Sequence, residues 1–336
     1  MSLERRATLR DVARETGVSV STASRALQDD PQISEATRQR VQVAASALAY
    51  VPDLVARSLT VRASRVLGLL VPDVTDPLHG SIVSGFEQAA NIAGYTTIVA
   101  NSLGDTGRER RAIREFSAHR VDGLALMGCY LDLGAVRTLA RPSPVVSMNT
   151  ERMLRGLRAD LPLGCLRPDE PAGIRALVEH LVEQGCRRIA YVGMDGGAAN
   201  AIRTQAVVDE VARCLGDAPV AIRPWLPEDR PGVAAELVAA GVDGVLGYDD
   251  RVALGLLDGL RSIGVSVPRD MAVAGFDNIA FAELSNPRLT TVRQPAAEMA
   301  GLAVEELTWA IAHGDLRPSS ALPVELIVRE STLRRS

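Results

Sequence analysis

The sequence predicts an all-α unit of three short helices, followed by a larger α/β body built on two doubly wound parallel sheets. Three observations carry this prediction. Helix-capping residues recur through the first fifty positions, apolar strand-length runs alternate with helical patterns after Arg65, and "RVDGLALMG" from Arg120 is echoed by "GVDGVLGYD" from Gly241. At 336 residues, with 47% hydrophobic and only 3% aromatic side chains, the chain is long enough for two or three Ala/Val/Leu-rich domains and too apolar for disorder.

In the leading unit, Thr8 caps a helix of Leu9 to Glu15, Asp11 completes a capping box, and Gly17 ends it. Ser19 caps a second helix from Val20 to about Leu27, and Ser34 caps a third reaching about Ala49. Leu9, Val12, Ala13, Val18, Ala23, Leu27, Ile33, Val41 and Leu48 recur at helical spacing and form one small core. Ser21, Arg25 and Gln28 fall at i, i+4 and i+7 away from that core, with Val20 beside them. A helix-turn-helix that reads DNA needs this layout, because its second helix enters the major groove with its first side chains at base edges. Arg25 is placed to fork onto a guanine, and Ser19, Thr22 and Ser24 to hold phosphates. Spacing alone fits an ordinary helical cap equally well.

Pro52 then breaks the third helix, and Asp53 caps a short new one. At roughly nine residues this linker helix is too short to persist without a partner. Beyond it, Val66–Val71, Thr96–Ala100, Gly123–Met127 and Val145–Met148 read as the strands of one sheet. Arg188–Val192, Val220–Ile222, Gly244–Gly247 and Met271–Gly275 read as those of a second. Two such lobes enclose a cleft at the carboxyl ends of their strands, where a small molecule binds. Asn149, Asp249 and Asp277 stand at strand ends, with Arg203 early in a helix and Gln294 where the chain crosses back. Trp225 offers an apolar face to a sugar ring, or else is a half-buried core residue.

Charge is unevenly spread. The whole chain carries −4, yet residues 1–62 hold nine Arg against seven Asp and Glu, a local +2. Cys129, Cys165, Cys186 and Cys214 show no C-x-x-C spacing and sit among apolar neighbours, as reduced thiols of a cytoplasmic protein do. No run approaches membrane-spanning length, so no membrane association is expected. His79, His119, His180 and His313 lack metal-ligand spacing, and no nucleophile elbow or phosphate-cradling glycine motif is present. Neither an enzyme, a metal site nor a cofactor is expected.

Thr8-Leu-x-Asp-Val-Ala followed by Gly17-Val-Ser-Val-Ser-Thr-x-Ser-Arg25 resembles the headpiece of the LacI/GalR family of bacterial transcription regulators. The resemblance continues through "ISEATRQRV", "ALAYVPDLVARSL", "VLGLLVPD", "LVEHLVEQGCRRIAYVG", "VAGFDN" and "ELIVREST", covering nearly the whole chain. It implies a helix-turn-helix headpiece over 1–51, a hinge helix over 52–64, and a periplasmic-binding-protein-like effector domain. In that domain the first lobe takes 65–160 and 293–321, and the second 161–292 and 322–336. It also implies a homodimeric repressor on a near-palindromic operator in double-stranded DNA, tuned by a sugar or related metabolite in the cleft. Val20, Ser21 and Arg25 occupy the implied base-reading positions, with Thr8, Gln28 and Ala56 also facing DNA and Leu59 wedging into the minor groove. His79, Asn149, Arg203, Trp225, Asp249, Asp277 and Gln294 make up the implied effector site. Departures mark this site: the family's Asn-Pro and two aromatics are replaced by Asp76-Pro77-Leu78-His79, Asn149 stands at a common Asp position, and Asp249 at a common Asn position. The rival reading is a solute-binding protein of the same two-lobed shape, for which three leading helices have no use.

Overall fold

The computed structural model describes residues 7–50, 63–149, 164–194, 198–220, 224–317 and 320–334. The chain divides into two compact units, residues 1–64 and 65–336. Of the predicted hinge helix, the positions from 52 to 62, Ala56 and Leu59 among them, lie outside the described residues.

In the first unit α1 (Leu9–Thr16), α2 (Val20–Ala26) and α3 (Glu35–Ala47) each begin at the predicted cap, Thr8, Ser19 and Ser34. Gly17 adopts φ +68°, the left-handed turn that lets the chain reverse between α1 and α2. Val12, Ala13, Ala23, Ala26, Val41, Ala44 and Ala45 form the buried core, flanked by Leu9, Val18, Leu27, Ile33, Leu48 and Tyr50. Alanine dominates because helices this short must cross closely to exclude water.

The second unit holds two parallel sheets. The first comprises β1 (Val66–Val71), β2 (Thr96–Asn101), β3 (Gly123–Met127), β4 (Val145–Met148), β5 (Gly164–Pro168) and β10 (Ser320–Leu322), in the order β10-β5-β4-β3-β1-β2. β3 and β4 are buried throughout and β1 almost so, which is why they read as unbroken apolar runs, whereas β2 lies at the edge and carries threonines. Helix α4 (Pro77–Ile92) and the long helix near the carboxyl end cover one face, burying Ile82, Phe86, Met299 and Leu307 against Leu67 and Leu69. Helices α5 (Thr106–Ala118) and α6 (Leu133–Ala140) cover the other, with Ile113, Phe116 and Val136 against Leu124 and Leu126.

The second sheet has β6 (Ile189–Val192), β7 (Gly244–Gly247) and β8 (Ala272–Ala274) in that order, and Val220 bridges Ala190 on the far side of β6. Helices α7 (Glu170–Glu183), α8 (Ala198–Leu215), α9 (Arg230–Ala239) and α10 (Asp250–Ser262) sandwich it, and α11 (Ala280–Leu284) follows β8. The chain returns through β9 (Thr291–Arg293) to α12 (Ala296–His313), the long covering helix, and crosses once more into β11 (Glu325–Ile327), antiparallel to β9.

The two halves repeat one plan, and the echoed motifs show it physically. Asp122 immediately precedes β3 and accepts the backbone N–H of Arg65, at the start of β1, at 2.9 Å. Asp243 immediately precedes β7 and accepts those of Arg187 and Arg188, at the start of β6, at 2.8 to 3.0 Å. In each lobe an equivalent aspartate ties the strand it precedes to the neighbouring first strand in sequence.

One expected boundary is corrected. Residues from 161 onward were assigned to the second lobe, but Gly164–Pro168 pairs with β4 in the first sheet, so the first crossing falls after Pro168. A strand of five residues containing Arg and Pro has no apolar signature to reveal it. Gly255, on α10, is packed so tightly against Trp225 that a β-carbon there would collide with the indole. Gly255→Ala is expected to destabilise the second unit by about 1–3 kcal/mol, read as a lower melting midpoint with headpiece helicity unchanged.

Candidate functional site

The amino end of α2 is an exposed polar surface anchored from behind. Ala23 and Ala26 face the core, while Val20, Ser21, Arg25 and Gln28 are exposed. Ser19 Oγ accepts the Thr22 N–H at 3.0 Å and lies 2.8 Å from the hydroxyls of both Ser21 and Thr22. Gln28 Nε2 donates to Ser24 Oγ at 3.2 Å. Arg25 has no carboxylate partner among the described residues, so its guanidinium is free for an external acceptor. The Thr8 hydroxyl, by contrast, is engaged in the capping box, donating to Asp11 Oδ2 at 2.6 Å.

In the second unit the strand ends gather one cluster around a buried cation. Arg203 on α8 is only 2% exposed. Its Nε and Nη2 donate to Glu170 Oε1 at 3.1 and 2.7 Å, its Nη1 donates to the Tyr248 carbonyl at 2.5 Å, and its Nη2 lies 3.6 Å from Asp277 Oδ1. Phe276 and Tyr248 cover the guanidinium with rings centred 4.1 and 4.7 Å away. Gln294 Nε2 donates to Asp277 Oδ1 at 2.5 Å, and Gln294 Oε1 is buried without a partner. Burial pushes the Asp277 carboxyl well above the usual carboxylate range, against the pull of Arg203 and with Asp249 and Asp250 adding to the rise. Its backbone is held at φ +113°, a conformation side chains rarely adopt and a mark of strain kept at a site.

Asp249 follows β7 and caps α10. Its Oδ1 accepts the Val252 N–H at 2.8 Å, and its Oδ2 accepts from Arg251 at 2.9 and 3.1 Å. Neither Asn149 nor His79 bonds to the Arg203 cluster: the Asn149 N–H donates to the Leu166 carbonyl, and His79 Nδ1 pairs with the Asp73 carbonyl at 2.9 Å. Trp225 is 8% exposed and packed among Val233, Leu237 and Leu256, which places it in the core and takes away the apolar face expected for a sugar. Sequence reasoning missed Glu170, Tyr248 and Phe276. Glu170 follows the capping Asp169 in "RPDEPAG", where a second acid reads as helix-start charge rather than as the partner of a distant arginine. A cavity of about 370 Å³ between Arg137, Pro142 and Leu316 lies at the amino end of β4, and none of the predicted cleft residues lines it.

Comparison with known proteins fits this geometry. Residues 8–53 match the model described as bacterial regulatory proteins of the lacI family, and residues 178–332 match a periplasmic binding protein-like domain. The HTH-type transcriptional regulator GalR of Salmonella typhimurium is 33% identical over 306 residues, 89% of this chain and 88% of that protein. The chain belongs to the lacI family of bacterial regulatory proteins. Within the family, the ribose operon repressor of Halalkalibacterium halodurans is 30% identical over 334 residues, covering 97% of both chains. The lac repressor dimer bound to operator and the anti-inducer ONPF shares the fold, with a TM-score of 0.86 at 24% identity over 98% of this chain and 100% of that one. The transcriptional regulator CelR in its cellobiose complex has a TM-score of 0.68 at 27% identity, over 97% of this chain and 100% of that one. These relatives are regulators and not enzymes, and among the described residues no helix is long and apolar enough to cross a membrane.

Asp250, at the first position of α10, accepts from Thr291 Oγ1 at 2.5 Å and from the Ile279 N–H at 2.8 Å. Burial still pushes its carboxyl up to about 7, from 3.8. The folded protein therefore keeps a proton that the unfolded chain gives up, and stability falls as pH rises between these values. A loss on the order of 2 kcal/mol from pH 5 to pH 7, levelling above that, is expected in denaturant titrations. Asp250→Asn is expected to flatten the slope.

Proposed function

We propose that this lacI-family chain is a DNA-binding transcription repressor, cytoplasmic and homodimeric. It reads a near-palindromic operator, with affinity set by a small molecule between its lobes. The observation that carries the reading is the exposed face of α2, where Arg25 is free and Val20, Ser21 and Gln28 stand beside it over a fixed core. In this reading Val20, Ser21, Arg25 and Gln28 meet base edges and Ser19, Thr22 and Ser24 hold the phosphate backbone, while Thr8, whose hydroxyl and N–H both go to Asp11, fixes the start of α1. The hinge, with Ala56 and Leu59, enters the minor groove and kinks it. One headpiece with a local charge of +2 binds weakly, so two must act together on paired half-sites.

The effector is a sugar or related metabolite, in keeping with the repressor of a ribose operon and the cellobiose complex among the relatives. Asp277 accepts its hydroxyls, and Gln294, Asp249, Asn149 and His79 line the cleft around it. Arg203, engaged by Glu170 and Tyr248, positions Asp277 more than it touches ligand.

Arg25→Ala is expected to reduce the preference for operator over random DNA by about 10- to 100-fold in gel shift, with the operator first recovered by selection from genomic fragments. Equal preference for mutant and parent would overturn the assignment. Asp277→Asn is expected to abolish the melting shift that a sugar panel produces in the parent while operator affinity stays within about twofold. A shift that survives the substitution would remove Asp277 from the effector site.

A further inference from the structure

Two helices, one from each lobe, begin at the cleft, and a single guanidinium joins their caps. Asp76 caps α4 of the first lobe, with Oδ1 accepting the Leu78 N–H at 2.9 Å. Asp249 caps α10 of the second lobe in the same way, through Val252. The remaining oxygens both go to Arg251, whose Nη2 lies 2.9 Å from Asp76 Oδ2 and 2.9 Å from Asp249 Oδ2. Each carboxylate is thus held at one oxygen by a helix amino terminus and at the other by the shared cation. Neither side chain has freedom to look elsewhere: Asp76 is 7% exposed and Asp249 3%, while the Arg251 side chain is 47% exposed and reaches them from the solvent side.

We propose that Asp76, Arg251 and Asp249 form an interlobe clamp, with Arg251 as the positioning residue that sets how far the lobes part to admit effector. The physical ground is that lobe separation strips Arg251 from Asp76 Oδ2, which then keeps His79 Nδ1, 3.9 Å away, as its ionisable neighbour among the described residues. Closure therefore carries a direct protein-to-protein contribution in addition to any contact made by a ligand. Because the guanidinium is half exposed, the clamp is modest in strength and weakened by salt. A modest clamp leaves the lobes free to part and admit effector, whereas a stronger one would hold them shut whether or not ligand is present. The proposal rests on the body being an effector-responsive pair of lobes, and its primary readout, hydrogen exchange, needs neither effector nor operator.

Hydrogen exchange of the full-length chain tests it, with Arg251→Ala, Asp76→Asn and the double variant compared at 0.05 and 0.5 M salt. Asparagine still caps a helix, so Asp76→Asn removes the ion pair and leaves α4 intact. Arg251→Ala is expected to speed exchange about threefold in residues 73–82 of the opposite lobe, and Asp76→Asn to do the same in residues 249–256. The double variant should add nothing to either single one, the parent should approach the variants at high salt, and Arg251→Lys should restore part of the protection. Effects confined to the substituted lobe, or additive in the double variant, would overturn the clamp. Retention of operator binding by the variants separates that failure from failure of the regulator reading.

Discussion

The second unit is organised around the need to keep one buried cation paired. Arg203 has almost no contact with water, and a guanidinium so placed is costly unless carboxylates and carbonyls surround it. Glu170 comes from the start of α7, the Tyr248 carbonyl from the end of β7, Asp277 from the turn after β8, and Gln294 from the crossing after β9. Three separate pieces of the lobe are therefore fixed relative to one another by a single side chain on α8, and Gln294 joins them through Asp277. The strained backbone at Asp277 is tolerated because this network over-determines it.

The repeated plan of the two lobes explains why the polar groups converge where they do. In both sheets the first strand in sequence lies inside the sheet, with a later segment on one side and the third strand on the other. That order places a crevice beyond the carboxyl ends of the strands at the point where connections diverge. Asp122 and Asp243 lock equivalent strands at the opposite, amino ends, so each lobe is pinned at one end and carries its reactive side chains at the other. Rigid strand ends hold site residues more accurately than long loops would.

Much of this was legible from the residues. The helix starts at Thr8, Ser19 and Ser34 were readable because a side-chain cap is a local event, decided within four residues. The strands β1, β3 and β4 were readable because burial on both faces demands continuous apolar residues. The short strands β5, β9, β10 and β11 left no such mark, since their pairing depends on crossings set by the whole body. Within the site, Arg203, Asp277 and Gln294 were found together, but Glu170 was not, because a buried ion pair spanning 33 positions has no periodicity. Trp225 was left open between a sugar platform and a core residue for a related reason: Gly255 on a distant helix makes the room that buries it.

The hydroxyl cluster at the start of α2 shows how a cap also prepares a surface for an anion. Ser19, Ser21 and Thr22 supply three O–H donors, and the cluster contains two hydroxyl-to-hydroxyl contacts of 2.8 Å. Each contact consumes one donor, so one O–H remains for an external acceptor whichever way the hydrogens are arranged. Ser19 Oγ already accepts the Thr22 N–H, which holds the cluster at the helix amino terminus where the backbone dipole favours negative charge. The residual donor, the orphan N–H groups of the first turn and the free guanidinium of Arg25 one turn on thus gather hydrogen-bond donors at the amino end of α2, the set on which the proposed DNA reading rests. The residues that start the helix are the same ones that make its end attractive to a phosphate.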